Sequence, residues 1–155
     1  MNLRKTFTAL LAFTTIMLLT ACESENKADV TPPVIDLIEP EEGENFTPGT
    51  DIHFEMDLTD DVMLASYKIE VHNNFNNHGH STARRAAATG TPFSFNRSYD
   101  VSGQRNAHIH HHDIMIPANA ATGQYHLMVY CTDAAGNEAH VARTIHIVES
   151  NNSTD

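Results

Sequence analysis

The sequence predicts an all-β domain folded as a two-sheet antiparallel sandwich of about seven strands. Three observations predict it. From Val34 onward apolar residues alternate with polar ones over short runs, Gly, Pro, Asn and Asp turn signals separate the runs, and no segment holds a helical period. Seven such runs at this spacing are the pattern of two packed sheets.

Ahead of the strands, residues 1–21 have the form of a targeting leader. Arg4 and Lys5 precede an apolar stretch, Ala9 to Leu19, that is too short for an ordinary membrane span. The stretch ends in Leu19-Thr20-Ala21-Cys22, which resembles the bacterial lipobox, where the cysteine becomes the first mature residue and receives the lipid. Cys22 is therefore the expected lipidation site, and the mature chain is expected in the bacterial cell envelope, held to the outer membrane through that lipid. Residues 22–33 are polar and then proline-broken, the composition of a flexible tether. Removing residues 1–21 from the 155 leaves 134, enough for one domain with a real core. That domain is expected over residues 34–149, with residues 150–155 as a disordered tail.

The strands are expected at Val34 to Glu39, Asp51 to Leu58, Leu64 to Asn73, Phe93 to Val101, His108 to Ile116, Gln124 to Thr132 and Glu138 to Val148. In the second run Ile52, Phe54, Met56 and Leu58 share one face, and His53, Glu55 and Asp57 the other, as in a half-buried antiparallel strand. The third repeats this, with Tyr67, Ile69 and Val71 inward and Lys68, Glu70 and His72 outward. Parity places Cys131 with Tyr125, Leu127 and Val129 as a small buried hydrophobe. With Cys22 carrying lipid, no intramolecular disulfide can form, so packing alone must hold the sandwich.

Two segments resemble the immunoglobulin-like repeat modules of bacterial surface proteins. One runs from TPPVIDL to YKIEV, and the other, from IPANAATGQYHLMVYC to TIHIV, carries G-x-Y-x-L-x-V and T-D-x-A-G-N signatures. The resemblance implies an immunoglobulin-like sandwich and says little of function, because such folds carry unrelated activities. Residues 73–91, containing NNFNNHGH, read as a His-rich insertion. Together with the lipobox and the TPP start, this arrangement resembles an uncharacterised His-rich immunoglobulin-like lipoprotein family of Bacteroidota.

Seven of the eleven histidines fall in two clusters, His72/His78/His80 and His108/His110/His111/His112. On a strand, residues i and i+2 lie about 6.6 Å apart on one face, so two imidazoles can bend toward one ion. If the third, sixth and seventh strands are antiparallel neighbours, His72 and His126 meet near the end from which the insertion leaves. His72, His78, His80 and His126 are therefore the expected primary metal site, with His146 as a further candidate. His108, His110 and His112 offer the spacing a second time, yet share parity with Ile114 and Ile116, which look like core. A bulge, or an extension of the strand beyond the sandwich, is needed to expose them. Asp113 could then bind metal or orient an imidazole. His53 and His140 are expected to be incidental surface residues.

These expectations describe a lipid-anchored protein that binds zinc, or alternatively copper or nickel, for capture, buffering or delivery. The chain carries nine Lys and Arg against twenty Asp and Glu, a net charge of −11; loss of Arg4 and Lys5 with the leader leaves seven against twenty, or −13. Such a surface repels phosphate backbones, so no nucleic-acid partner is expected, whereas a metal ion and an outer-membrane receptor or transporter are. An adhesion or receptor-accessory module with peripheral histidines is the alternative. A copper metalloenzyme is the lesser one: His-x-His on a sandwich strand resembles the copper–zinc dismutases, but their disulfide pair and glycine and charged-loop motifs are missing here. No nucleophile or acid/base constellation is visible, so no enzyme is expected and no catalytic residue is assigned. Asp57, Asp60, Asp61, Asp133 and Asn137 could offer oxygens to calcium, but Asp-Asp and Asp-Ala-Ala-Gly-Asn read first as turn chemistry.

Overall fold

The computed structural model describes residues 27–74 and 90–149. The leader, Cys22 and the first part of the tether, His78 and His80 of the insertion, and residues 150–155 lie outside the described residues.

Eight strands form among the described residues: β1 (Val34–Glu39), β2 (Asn45–Phe46), β3 (Asp51–Thr59), β4 (Leu64–Asn73), β5 (Phe95–Asp100), β6 (Asn106–Met115), β7 (Gly123–Asp133) and β8 (Glu138–Ile147). No helix occurs among the described residues. The seven expected strands are all present, and the eighth is the two-residue β2, too short to show a period. One sheet has the order β1-β3-β6 and the other β2-β8-β7-β4-β5. All pairings are antiparallel except β2 with β8. The result is an open all-β sandwich, in which β4, β7 and β8, the third, sixth and seventh expected strands, lie side by side as the meeting of His72 and His126 requires.

Alternation drives the packing. Ile52, Phe54, Met56 and Leu58 of β3 face inward, toward the layer formed by Tyr67, Ile69 and Val71 of β4 and Tyr125, Leu127, Val129 and Cys131 of β7, and all are buried. Each large apolar side chain so buried contributes roughly 1.5–3 kcal/mol, which lets the sandwich hold without a cross-link. The Cys131 thiol is pushed up to about 11, by burial first and then by the negative charges of Asp60 and Asp133, so it stays a protonated core atom.

At the start of β7 the buried Tyr125 hydroxyl donates to the carbonyl of Ala121 at 2.7 Å and accepts from the amide of Phe93 at 3.2 Å. A tyrosine bonding back to the backbone just upstream is the corner that locks immunoglobulin-like sandwiches. Nearby, Gly90 sits at φ +110 with its α-carbon so close to Asn119 and Ala121 that a Cβ would meet backbone atoms at 2.7–2.9 Å. Only glycine fits where the chain returns toward β5 against the β6–β7 connection.

The parity conflict in HIHHHD resolves at a bulge. Along β3 and β6, Asp57 faces His108, Glu55 faces His110 and Phe54 faces His111, but Ile52 faces Ile114. Two steps on β3 thus span three on β6, and the extra residue reverses the facing between His112 and Ile114. His108, His110 and His112 are exposed, while Ile114 and Ile116 are core.

Candidate metal centre

The β3–β6 register that aligns the two apolar faces also decides which outward side chains meet. His53 lies beside the bulge, next to His110 and His112, which share a face as i and i+2 residues of β6. One nitrogen from each of His53, His110 and His112 can be chosen such that all lie within 4.8 Å of one another. The ring centroids are 4.9 Å apart for His53–His110, 5.0 Å for His53–His112 and 5.6 Å for His110–His112.

Carboxylates surround these rings. Asp51 accepts a hydrogen bond from Nδ1 of His112, which fixes that imidazole and leaves Nε2 for another partner. That bond, followed by one from backbone, holds the Asp51 carboxyl below the usual carboxylate range. Glu55 Oε2 lies 3.9 Å from His53 Nε2, too far for a hydrogen bond, and that nitrogen is shielded from solvent with no hydrogen-bond partner. An unpartnered imidazole nitrogen inside a group of three is the donor set a transition metal takes. Around tetrahedral zinc, nitrogens at about 2.0–2.1 Å from the ion lie roughly 3.4 Å from each other. Side-chain rotations of an ångström or so would close the present group to that size, so the residues fit.

Residues 20–148 match the family described as Domain of unknown function (DUF4625). The chain belongs to the DUF4625 family. No curated protein matches it. The family description assigns no chemistry, so function in this DUF4625 chain has to be argued from its side chains.

The rest of the HIHHHD run is divided among other tasks. His108 Nδ1 pairs with Asp57 Oδ1 at 2.8 Å, and its Nε2 lies 3.8 Å from Glu55 Oε1. His111 turns toward the core, stacked on Phe54 at 5.0 Å and on Tyr99 at 5.2 Å, and burial lowers its basicity. Asp113, expected as a ligand or an orienting group, instead pairs with Arg97 at 3.2 Å and Tyr99 at 3.3 Å, joining the edge of one sheet to the edge of the other.

On the opposite sheet of the DUF4625 domain, His72 and His126 are direct partners across β4 and β7, their rings edge to face at 5.6 Å. His126 Nε2 is 2.9 Å from Nδ2 of Asn74, whose amide also reaches Gln124. His146 stands opposite Gln124 on β8. His72 and His126 are thus brought together, while His78 and His80, their proposed companions, lie outside the described residues. His140 rests against the Tyr130 ring at 5.8 Å, as an incidental surface histidine can.

His53, expected as an incidental surface residue, lies within this group: it is isolated in sequence, and the histidines beside it are 57 and 59 residues away. The signal that could have found it was its outward parity, combined with the pairing of β3 to β6.

Proposed function

We propose that this chain is a lipid-anchored envelope protein that binds a transition metal, zinc foremost, through His53, His110 and His112, for capture, buffering or delivery. The observation that carries the reading is the three-imidazole group, with Asp51 orienting one ring and the Nε2 of His53 left without a hydrogen-bond partner. Imidazole donors suit zinc, copper and nickel alike, and ligand type alone does not order them. Zinc comes first because three protein ligands and one open position form a common zinc arrangement. The open position accepts water or a donor from a second molecule, which favours exchange over permanent storage. The net charge of −11 supports the reading, since it draws cations toward the surface. The role proposed is carriage, not catalysis. Anchoring rests on the lipobox-like Leu19-Thr20-Ala21-Cys22.

Calorimetric titration of the metal-stripped full chain with zinc and with copper tests the reading. One equivalent is expected to bind, with affinity that falls on acidification because protons compete for the same lone pairs. His110→Ala and His112→Ala should each weaken it. A full chain that takes up neither metal sinks the proposal.

A further inference from the structure

Three carboxylates meet at the other end of β3. Oxygens of Asp29, Asp60 and Asp133 lie within 4.8 Å of one another, although Asp29 belongs to the expected tether, Asp60 follows β3 and Asp133 ends β7. Asp60 is 9% exposed and Asp133 2%. None of the ion pairs among the described residues reaches any of the three. The Oδ1 of Asp60 is occupied by the amides of Val62, at 2.9 Å, and Met63, at 2.5 Å. Its Oδ2 is buried with no partner, and so is Oδ2 of Asp29.

Turn chemistry explains one oxygen of Asp60, one of Asp29, whose Oδ1 accepts from the amide of Thr31 at 3.0 Å, and the contacts of Asp133, whose two oxygens accept from the backbone and side-chain nitrogens of Asn137, both at 2.7 Å. It does not explain why Asp29 joins them, or why two oxygens face inward unsatisfied. Burying like charges without a counter-charge is costly, and each carboxylate oxygen has lone pairs to spare for a cation.

We infer that Asp29, Asp60 and Asp133 form a calcium site that clamps the segment before β1 onto the β3–β4 and β7–β8 turns. An all-oxygen set with three carboxylates suits a hard divalent cation, and water can complete the shell on the partly exposed side of Asp29. Calcium tolerates the irregular geometry of ligands drawn from three separate segments, whereas magnesium demands a near-ideal octahedron. The Nδ2 of Asn137 bonds the backbone carbonyl of Asp29 at 3.2 Å and so holds the clamp in register. Of the other aspartates the sequence offered for such a site, Asp57 is committed to His108, and Asp61 is not in the group.

The test is calcium titration of the chelator-stripped full chain, followed by calorimetry and thermal unfolding. One calcium is expected, with Kd on the order of 10⁻⁴–10⁻³ M as in extracellular modules, together with a rise in Tm. Asp29→Asn lies before the first strand and cannot unfold the sandwich by a core defect. It should weaken calcium binding about tenfold or more, because one ligand charge is lost, and leave zinc uptake unchanged. Asp60→Asn keeps an Oδ1 for Val62 and Met63; without calcium it should melt above the unaltered chain, and with calcium it should gain less. An absent calcium response at about 10 mM, an equal response to magnesium, or unaltered affinity in Asp29→Asn would each overturn the inference.

Discussion

Removing one imidazole from the β3–β6 face should shrink the thermal stabilisation that zinc gives the fold. Unfolding a domain spanning residues 34–149 has an entropy of about 0.24 kcal/mol/K at roughly 2.1 cal/mol/K per residue. Zinc at about 100 times its Kd adds about 2.7 kcal/mol of stability, which corresponds to a rise in Tm of roughly 11 °C. If His112→Ala raises Kd about tenfold, the same zinc concentration gives about 1.4 kcal/mol, or roughly 6 °C; a hundredfold loss leaves under about 2 °C. His53→Ala should behave likewise, although sequence proximity alone would give it no role. Asp51→Asn, which weakens the orientation of His112, should fall within the same tenfold to hundredfold range. The assay is thermal unfolding followed by circular dichroism, with and without zinc, on each full-length variant. His72→Ala with His126→Ala is the control. If that pair abolishes the zinc shift while His53→Ala retains it, the metal sits on the five-stranded sheet, and the reasoning from the β3–β6 register is refuted.

Two further outcomes follow from other contacts and a third from the lipobox-like sequence. Tyr125→Phe strips a hydrogen bond from both the Ala121 carbonyl and the Phe93 amide in a buried corner, and should cost about 2 kcal/mol, or roughly 8 °C in Tm; an unchanged Tm would show that the corner adds nothing. His111 is less basic folded than unfolded, because it is buried, so the unfolded chain binds the extra proton: the stability tied to its neutral form is present above about pH 6.5 and is lost as pH falls from there through the folded value. His111→Phe, which can keep the stacking on Phe54 and Tyr99, should remove that part of the acid sensitivity in melting curves, and parallel pH profiles for the two proteins would count against it. Cys22→Ser should abolish incorporation of labelled fatty acid and release the chain from the membrane fraction; continued labelling would place the lipid elsewhere.

The strands were legible because their cause is local. Ile52, Phe54, Met56 and Leu58 show a period of two without reference to any other segment, and β1 and β4 begin and end where the alternation and turn residues place them. The candidate metal centre was half legible. His110 and His112 stand out as an i, i+2 pair, and the conflict with Ile114 called for a bulge. The partner could not be named, because His53 reaches them only through an inter-strand register, which hydrogen-bond pairing and the bulge set jointly. The carboxylate group was less legible still: Asp29 lies in a stretch whose composition reads as tether, and nothing local marks it as packed against Asp60 and Asp133.

If Cys22 carries a lipid, the packing of Asp29 also sets the length of the leash. With lipid on Cys22, only seven residue steps separate the bilayer surface from that aspartate, a span of at most about 25 Å. The turns bearing Asp60 and Asp133 would therefore ride close to the headgroups. From Thr59 back to His53, six steps of β3 rise about 20 Å in the opposite direction. The imidazoles would then stand at the outer pole of a short mast, presented to whatever approaches the membrane. On the proposed function, inserting residues between Cys22 and Asp29 would change where a metal is handed over without changing how it is held.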